Sequence, residues 1–400
     1  MSDDKNKDQK ISDLLSRGVE NIYPSVGFLK SKLEKEEEIK IYLGIDPTGP
    51  TLHLGHAIAL KKLAEFQKLG CKIILLIGDF TAMIGDPTDK KATRKQLTRD
   101  EVLNNAKLYK EQASVFLDFS GANSAELKYN SEWLEKMNFA DVLGLASKMT
   151  VSQMLERDMF ENRIKENKPI FLHEFLYPLM QGYDSVAMDV DGEVGGNDQT
   201  FNMLVGRNLQ KEINNKEKFV LTMKLLADNS GTKMGKTEGN MVALNDDAPM
   251  MFGKIMSWED SMIFSGFELC TNVSMEEIDG LRKEMNDGKN PRDIKMRLGR
   301  EIVSIYYGND EAVKAEENFI KTFQKKETPD DLEEITGAVG EVMSDFLLSK
   351  GQIKSKSDFR RLVEEGAVSI DGIKIDDFLI KIEKLPVVVK LGKKKFIKLI

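Results

Sequence analysis

The stretch "IKIYLGIDPTGPTLHLGHAIALKKLAEFQKLGCKIILLIGDF", residues 39–80, decides the fold. Residues 39–47 predict a β-strand, residues 56–70 carry apolar side chains at helical spacing, and residues 71–80 form an apolar run typical of a buried parallel strand. Strand, helix and strand in this order predict a right-handed βαβ unit. Because open parallel sheets bind ligands at the carboxyl ends of their strands, residues 46–56 are expected at the mouth of a nucleotide-sized crevice.

The remainder of the chain is predicted to be mainly helical. Residues 218–227 are compatible with a strand. The polar stretch at residues 326–336 is interpreted as a linker. Residues 340–400 are expected to form two helices and short strands. The apolar spacing predicts helices within residues 11–39, 100–170, 171–188, 200–213 and 246–325.

Composition places the chain among soluble proteins. With 400 residues, 41% of them hydrophobic, it can bury a sizeable core and is expected to contain two or three domains. Its apolar runs are too short to span a membrane, and the first residues lack the apolar segment of a secretory signal. The two cysteines, Cys71 and Cys270, are far apart and predict neither a disulfide framework nor a zinc site. A cytoplasmic protein without a membrane partner is expected.

Charge is distributed unevenly along the chain. The formal net charge is −8, yet residues 350–400 contain 13 lysines and arginines against 7 acidic residues. A small basic domain on an acidic body is typical of a protein with a polyanionic partner. A lysine-rich solvated surface explains the charge equally well, so both interpretations stay open on charge alone.

Two of the three histidines, His53 and His56, lie where the predicted helix begins. The free backbone N–H groups and the dipole of a helix start favour anions, and imidazoles can donate hydrogen bonds to phosphate oxygens. Gly55 lets a ligand approach the backbone, and Thr48 adds a hydroxyl. Incidental polar residues remain an alternative for so short a motif. A zinc site is disfavoured, since no third and fourth ligand has suitable spacing.

Two polar loops carry charges that suit a phosphorylated ligand. Lys233 and Lys236 lie three apart in "GTKMGKTEGN" (231–240), a loop that can bring two ammonium groups onto a polyphosphate. After the second buried strand, Asp79 and Asp86 stand beside glycines, where a carboxylate can hold an amine or a hydroxyl. The same loop continues with two possible phosphate contacts, Lys90 and Arg94. Solvated surface charges remain the alternative for both loops.

The predicted helix at 171–188 has a polar stripe. Tyr177, Gln181 and Asp184 follow the spacing i, i+4 and i+7 and therefore share one face. Buried polar groups without partners cost about 1–3 kcal/mol each, so such a stripe needs partners. A polar ligand in a pocket would supply them, and hydrogen bonds among the core groups themselves are the alternative.

Taken together, these motifs resemble those of class I aminoacyl-tRNA synthetases. "HLGH" (53–56) is similar to the family's HIGH motif, and "KMGKT" (233–237) is similar to its KMSKS motif, with Gly235 and Thr237 in place of the serines. The resemblance covers essentially the whole chain and is closest to bacterial-type tyrosyl-tRNA synthetases. It also rests on "YLGIDPT" (42–48), "GDPTDKKATR" (85–94), "YPLMQGYDS" (177–185), "GGNDQ" (195–199) and an S4-like stretch at 346–375.

The resemblance implies a fold and a reaction. The expected fold is α/β: a Rossmann-like parallel-sheet catalytic domain (1–230), then the KMSKS-like loop with an α-helical anticodon-binding domain (231–328), then a small α+β S4-like RNA-binding domain (337–400). The implied activity is activation of L-tyrosine with ATP to tyrosyl-adenylate and pyrophosphate, followed by transfer to the 3′ end of tRNA(Tyr). Mg²⁺ is expected to accompany the ATP, with no tightly bound metal or organic cofactor. A homodimer is expected.

Roles for individual residues are implied in the same way. Tyr42 and Asp184 would contact the substrate hydroxyl, and the α-amino group would be held by Asp86, Tyr177 and Gln181. ATP would be bound by Thr48, His53, Gly55 and His56, with Thr48 and His53 stabilising its terminal phosphates. The ribose and the tyrosyl carboxylate would be lined by Gly44, Asp46, Gly196, Asp198 and Gln199. Departing pyrophosphate would be clasped by Lys90, Arg94, Lys233, Lys236 and Thr237. Thr200 and Phe201 receive no role.

Other functions remain open from the sequence. A tryptophanyl-tRNA synthetase or another nucleotidyltransferase would share the fold, although the Tyr42 and Asp184 pair argues against tryptophan. An RNA-binding paralogue without catalysis would keep the basic tail and lose the site. The presence of His53, His56 and the two lysines of the KMGKT motif argues against that alternative.

Overall fold

The structure, a computed structural model, describes most of the chain: residues 2–35, 37–86, 97–156, 158–228, 231, 233–234, 241–324, 332–337, 339–392 and 395–400. Four residues of the predicted site lie outside these ranges, namely Lys90, Arg94, Lys236 and Thr237. The chain divides into two units, Met1–Ala312 and Val313–Ile400. The division into two units does not test the three domain boundaries expected from the sequence, which stay a prediction.

The first unit is built on a six-stranded sheet with the strand order β1-β6-β5-β2-β3-β4. All neighbouring strands are parallel except β1 and β6, which are antiparallel. The strands are β1 (Val19–Tyr23), β2 (Lys40–Ile45), β3 (Lys72–Ile77), β4 (Glu126–Tyr129), β5 (Gly192–Gly196) and β6 (Phe219–Met223).

Helices surround this sheet and continue beyond it. Before β5 they are α1 (Ser2–Ser16), α2 (Val26–Glu34), α3 (Leu54–Lys68), α4 (Thr81–Ile84), α5 (Arg99–Ala106), α6 (Tyr109–Ala113), α7 (Ser131–Leu134), α8 (Phe139–Ala146), α9 (Val151–Leu155), α10 (Asp158–Lys165) and α11 (Leu172–Ala187). After β5 they are α12 (Thr200–Asn214), α13 (Ala248–Met256), α14 (Ile263–Cys270), α15 (Met275–Asn286), α16 (Pro291–Tyr307) and α17 (Asn309–Phe319), and the division between the units falls within α17.

The predicted βαβ unit is confirmed. β2 and β3 pair in parallel from Lys40 opposite Lys72 to Ile45 opposite Ile77, and α3 connects them. Gly70 ends the connection with a φ of +92°, a backbone conformation that a side chain would disfavour. The expected α/β class with a parallel sheet is therefore correct, and residues 246–324 are helical as predicted.

The prediction of helix was wrong for two short segments, which form strands. β1 lies within residues 11–39 and pairs antiparallel with β6, and β4 lies within residues 100–170 and pairs in parallel with β3. Both are edge strands of four or five residues. The hydrophobic patterns of β1 and β4 are too short to distinguish a strand from a helix. These segments become strands because each pairs with a strand that is distant in the sequence.

Helices α11 and α12 approach each other closely at two glycines. A Cβ atom on Gly182 would lie 2.9 Å from a Leu209 methyl group and 3.2 Å from the backbone nitrogen of Gly206. A Cβ on Gly206 would lie 2.8 Å from both Lys218 Nζ and Ser185 Oγ. The absence of side chains here brings α11, which carries the predicted polar stripe, against α12 and the start of β6.

The second unit has its own sheet and core. Its five strands follow the order β7-β11-β10-β8-β9, and its buried core includes Phe346, Leu347, Phe359 and Val389. Two helices and short strands are present as predicted, but the predicted linker includes β7, which pairs in parallel with β11. The elements are β7 (Glu333–Ile335), α18 (Met343–Ser349), α19 (Lys356–Glu364), β8 (Val368–Ile370), β9 (Ile373–Lys374), β10 (Val387–Leu391) and β11 (Lys395–Leu399).

None of the helices in the described ranges combines the length and the apolar character needed to cross a membrane.

Candidate active site

One cavity of about 750 Å³ opens at the carboxyl ends of the parallel strands and at the start of α3. Every predicted site residue that the structure describes contributes to its lining. These residues are Tyr42, Gly44, Asp46, Thr48, His53, Gly55, His56, Asp86, Tyr177, Gln181, Asp184, Gly196, Asp198, Gln199 and Lys233. Residues from positions 42 to 233 are thus gathered around a volume suited to a small ligand.

The two histidines cap helix α3. His53 is the N-cap residue, and its Nδ1 accepts from the Gly55 backbone N–H at 3.1 Å. Nδ1 of His56 accepts from the backbone N–H of His53 at 3.2 Å. Since Nδ1 acts as the acceptor in both neutral rings, the proton of each ring lies on Nε2. Each imidazole therefore keeps one N–H donor, as the predicted phosphate contacts require.

Both imidazoles are neutral at pH 7. Burial, assisted by the positive charge of Lys233, lowers the pKa of His53 to about 4. Burial and the neighbouring ring of His53 lower the pKa of His56 well below its usual value. The two ring centroids are only 3.9 Å apart, which further disfavours charging both rings.

Gly55 and Gly78 are required by close contacts within the site. A Cβ on Gly55 would lie 2.9 Å from Nδ1 of His53, so the glycine leaves room for the imidazole itself. A Cβ on Gly78, at the end of β3, would lie 2.0 Å from Oδ1 of Asp46. The sequence suggested ligand access as the reason for Gly55, and the structure adds that the histidine fills the space.

The segment after the lysine loop pairs with the segment before α3. The Leu54 N–H donates to the Val242 carbonyl at 3.1 Å, and the Leu244 N–H donates to the Leu52 carbonyl at 2.9 Å. Lys233 lies at the near end of the loop and donates to Asp198 Oδ2 at 2.7 Å. The histidine motif and both described ends of the lysine loop therefore meet at one cavity.

Polar side chains fix Asp46, which follows β2. Tyr177 Oη donates to its Oδ2 at 2.8 Å, and Thr81 Oγ1 donates to its Oδ1 at 2.7 Å. Burial raises the pKa of Tyr177 well above its usual value, and the charges of Asp46 and Asp86 add to this shift. The phenol of Tyr177 is therefore a hydrogen-bond donor at neutral pH.

Asp184 is a buried carboxylate at the floor of the cavity, with 3% of its surface exposed. Trp133 Nε1 donates to one of its oxygens at 2.8 Å, and Asn130 Nδ2 donates to the other at 3.3 Å. Burial raises the pKa of Asp184 well above its usual value, while these two donors oppose the shift. The polar stripe on α11 thus has partners within the protein. It also faces the cavity, and the binding of a polar ligand by the stripe stays a prediction.

Comparison with known proteins identifies the family. A family described as "tRNA synthetases class I (W and Y)" matches residues 34–324. The chain belongs to this family of class I tRNA synthetases. It is similar to the tyrosine–tRNA ligase of Carboxydothermus hydrogenoformans, with 46% identity over 97% of each chain, and to that of Thermotoga maritima, with 46% identity over 92% of each chain.

A solved structure agrees with these relatives. The C-terminally truncated mitochondrial tyrosyl-tRNA synthetase of Coccidioides posadasii superimposes with a TM-score of 0.63 at 25% sequence identity, covering 77% of this chain and 91% of that one. The resemblance predicted from the motifs is confirmed.

Three side chains of this synthetase that sequence reasoning missed hold the segment before the histidines. Asn105 Nδ2 donates to the Pro47 carbonyl at 2.9 Å, and Tyr109 Oη donates to the Gly49 carbonyl at 2.6 Å. The Leu52 N–H donates to Gln112 Oε1 at 2.6 Å. The spacing i, i+4 and i+7 was the available signal. Asn105 lies on α5, whereas Tyr109 and Gln112 lie on α6, so only the fold shows that the three side chains contact the segment before the histidines.

Within the described ranges, no three or more His, Cys, Asp and Glu side chains form a group that could hold a metal ion.

Cys71 and Cys270 are both buried free thiols, and burial raises the pKa of each to about 12. Neither thiol is available as a reactive thiolate at neutral pH.

The capping geometry and burial of His53 predict that this histidine stays neutral in mildly acidic solution. At about pH 5.5, where an ordinary histidine of pKa about 6.5 is mostly protonated, His53 should remain neutral with its proton on Nε2. Nitrogen-15 NMR of the three histidines measures this, and the variant His53→Gln assigns the signal. ATP should raise the apparent pKa of His53, because phosphate charge stabilises the imidazolium. An ordinary pKa with the proton on Nδ1 would contradict the capping geometry.

Proposed function

We propose that this synthetase is a tyrosine–tRNA ligase that converts L-tyrosine and ATP to tyrosyl-adenylate and pyrophosphate, then transfers tyrosine to the 3′ end of tRNA(Tyr). The observation that carries this proposal is that one cavity is lined both by the histidine-capped start of α3 and by the buried Tyr42 and Asp184. The 46% identity to curated tyrosine–tRNA ligases over nearly the full length supports it. A cytoplasmic location is part of the proposal, since charged tRNA is used by the ribosome.

Adenylate formation needs placement more than acid or base catalysis. The tyrosine carboxylate is already ionised, and one of its oxygens attacks the α-phosphorus of ATP. The bond from that phosphorus to the bridging oxygen breaks, and pyrophosphate leaves with the electron pair. In the second step a hydroxyl at the 3′ end of tRNA attacks the tyrosyl carbonyl carbon, AMP leaves with the electron pair of the broken carbon–oxygen bond, and the hydroxyl proton passes to a phosphate oxygen of the leaving AMP. No general base is required for the first step.

Donors near the start of α3 would stabilise the phosphates. The Nε2–H groups of His53 and His56 and the hydroxyl of Thr48 are fixed donors that meet charge as it grows in the transition state. Lys233 would contribute an ammonium group by exchanging its bond to Asp198 for one to a phosphate. Mg²⁺ enters with the ATP as part of the substrate. The same role for Lys90, Arg94, Lys236 and Thr237 rests on the motifs alone.

Selection of tyrosine would depend on Tyr42 and Asp184. Tyr42 is fully buried with its hydroxyl near Ser185, and Asp184 presents two oxygens held by Trp133 and Asn130. Without a substrate hydroxyl, these buried polar groups would face an apolar ring and lose partners. Tyrosyl-tRNA synthetases are themselves the standard example of rejection by this effect. Asp86, Tyr177 and Gln181 would hold the α-amino group.

ATP–pyrophosphate exchange with a panel of amino acids tests the activity. Exchange should depend on L-tyrosine, with phenylalanine and tryptophan far weaker. Charging of tRNA(Tyr) with labelled tyrosine tests the second step in the same preparation. Exchange that depends on tryptophan and not on tyrosine would overturn the proposal.

The second unit is proposed to bind tRNA. Residues 350–400 carry the local excess of basic residues, and Arg360 and Arg361 are exposed on α19. Part of this charge is already paired, since Arg360 contacts Glu364 and Arg361 contacts Asp358. Phosphates can compete for such exposed pairs, because surface ion pairs contribute little stability. Contacts to phosphates would make RNA affinity depend on salt.

Removal of residues 325–400 should separate the two steps. The cut precedes β7, so the whole second sheet is removed, and none of the described cavity-lining residues is lost. Tyrosine-dependent exchange should stay within about twofold, whereas tRNA charging should fall at least about tenfold near physiological salt. Circular dichroism and thermal unfolding confirm that the shortened chain is folded. Full charging rates over a range of salt concentrations would contradict the role of the second unit.

A homodimer is proposed through the surface formed by α8, α9, α10 and the start of α11. Its apolar side chains are unusually exposed: Phe139 77%, Leu143 55%, Val151 66%, Ile164 50% and Leu172 81%. Phe160 and Phe175 join α10 to α11 below this surface, with ring centroids 4.9 Å apart. Large exposed apolar side chains on neighbouring helices are typical of a protein interface.

The double variant Phe139→Asp, Leu172→Asp should convert the dimer to a monomer, since two carboxylates would be buried without partners. Light scattering after size-exclusion chromatography measures the mass at micromolar concentration. Ile373→Asp is the matched control, because Ile373 is 73% exposed and belongs to the second unit. A wild-type monomer, or a double variant that stays dimeric, would rule out this surface.

A further inference from the structure

A fully buried lysine lies directly behind the cavity. Lys218, just before β6, has no exposed surface, and its Nζ donates to Ser185 Oγ at 2.7 Å and to Glu193 Oε2. Burial lowers the pKa of Lys218, and the charge of Glu193 opposes this shift. A buried ion pair seldom adds stability over apolar side chains of the same size. Its presence beside a binding cavity therefore points to a role other than stability.

The lysine belongs to a hydrogen-bonded chain that joins two parts of the cavity. On one side, Ser185 Oγ lies 3.0 Å from Tyr42 Oη. On the other, Glu193 Oε1 accepts from Gln181 Nε2 at 3.2 Å, and Gln181 Oε1 accepts from Asn202 Nδ2 at 2.9 Å. The chain thus reaches from the phenol of Tyr42 to the amide of Gln181 through Ser185, Lys218 and Glu193.

This chain continues to a second carboxylate of the cavity. Asn202 Nδ2 also donates to Gln199 Oε1 at 3.2 Å, and Gln199 Nε2 donates to Asp86 Oδ2 at 2.8 Å. Asn202 is fully buried. The proposed contacts to the substrate hydroxyl and to its amino group are therefore parts of one network.

At Ser185, the donor and the acceptor of each hydrogen bond can be determined. The ammonium group of Lys218 can only donate, so Ser185 Oγ accepts from it and has a single proton of its own to give. Tyr42 Oη is the other partner of Ser185 Oγ among the described residues. If Tyr42 donated to Ser185, the serine proton would be buried without an acceptor, which is disfavoured.

Ser185 therefore donates to Tyr42, and the phenol proton of Tyr42 is left for the cavity side. Burial raises the pKa of Tyr42 well above its usual value, and the charges of Glu193, which also lines the cavity, and of Asp184 add to this shift. Tyr42 thus stays protonated and remains a donor. Lys218 Nζ also lies 5.5 Å from the centre of the Tyr42 ring, which holds the ring in place.

We propose that Lys218 and Ser185 are positioning residues that keep Tyr42 as the donor to the substrate hydroxyl, while Asp184 accepts the proton of that hydroxyl. This inference rests on the proposed function. Phenylalanine has no hydroxyl that could accept a hydrogen bond from Tyr42 or donate one to Asp184. The donor Tyr42 and the acceptor Asp184 therefore both contribute to the rejection of phenylalanine. Neither Lys218 nor Ser185 contacts the substrate in this arrangement.

The test compares tyrosine with phenylalanine in ATP–pyrophosphate exchange. Ser185→Ala removes the donor to Tyr42 and should lower kcat/KM for tyrosine about tenfold, a change of about 1.4 kcal/mol. The value for phenylalanine should change less than about twofold, so the tyrosine preference falls about tenfold. The double variant Lys218→Met, Glu193→Gln should act in the same direction. Removing both charges together avoids an unpaired buried carboxylate.

The matched control is a second buried lysine that pairs with a partly buried glutamate away from the cavity lining. Lys62 is 2% exposed and donates to the Leu14 carbonyl at 2.8 Å and to Glu65 at 2.7 Å. Lys62→Met, Glu65→Gln should leave the preference for tyrosine unchanged, even where thermal stability falls. Thermal unfolding of every variant separates folding from selection.

The possible outcomes are distinct. A selective loss of tyrosine activation in Ser185→Ala supports the inference, even where the double variant fails to fold. Equal losses for tyrosine and phenylalanine, or an unchanged preference, would show that Lys218 and Ser185 only support the fold. A wild-type protein that does not activate tyrosine would overturn the proposed function itself.

Discussion

The parallel pairing of β2 with β3 and β5 is the constraint on which the site depends. Parallel strands end at the same edge of a sheet, so the residues that follow each strand meet there. Asp46 follows β2, Gly78 follows β3, and Asp198 follows β5. The crossover helix α3 must begin at this edge as well, which puts the histidine pair at the cavity. Ligand-binding groups from distant parts of the sequence are gathered by this single arrangement.

The site contains three carboxylates that are buried or partly buried, and each accepts hydrogen bonds from neighbouring side chains. Asp46 accepts from Thr81 and Tyr177, Asp184 accepts from Trp133 and Asn130, and Glu193 accepts from Lys218 and Gln181. Such networks are favourable only when nearly every donor and acceptor is satisfied. The donors and acceptors left over at the cavity are therefore oriented before any ligand arrives. Preorganised dipoles of this kind stabilise developing charge without rearrangement.

The histidine pair combines a structural and a chemical role. By accepting backbone N–H groups at the start of α3, each ring satisfies donors that a helix start leaves unpaired. The same bonds place the remaining proton on Nε2. Burial keeps both rings neutral, so the donors are available without a permanent positive charge in the cavity. Gly55 is needed because a side chain there would collide with the ring of His53.

The sequence by itself determined the βαβ unit, the helix with its polar stripe, and the motifs that identify the family, because each is a local pattern with a fixed period or spacing. It did not determine β1 and β4, whose short segments become strands by pairing with distant ones. It also could not show that Asn105, Tyr109 and Gln112 hold the segment before the histidines. Only the tertiary structure decided that Lys218 lies behind Tyr42, because the close approach of α11 and α12 at two glycines creates the space for a buried lysine. A long-range packing contact of this kind leaves no periodic signal in the chain.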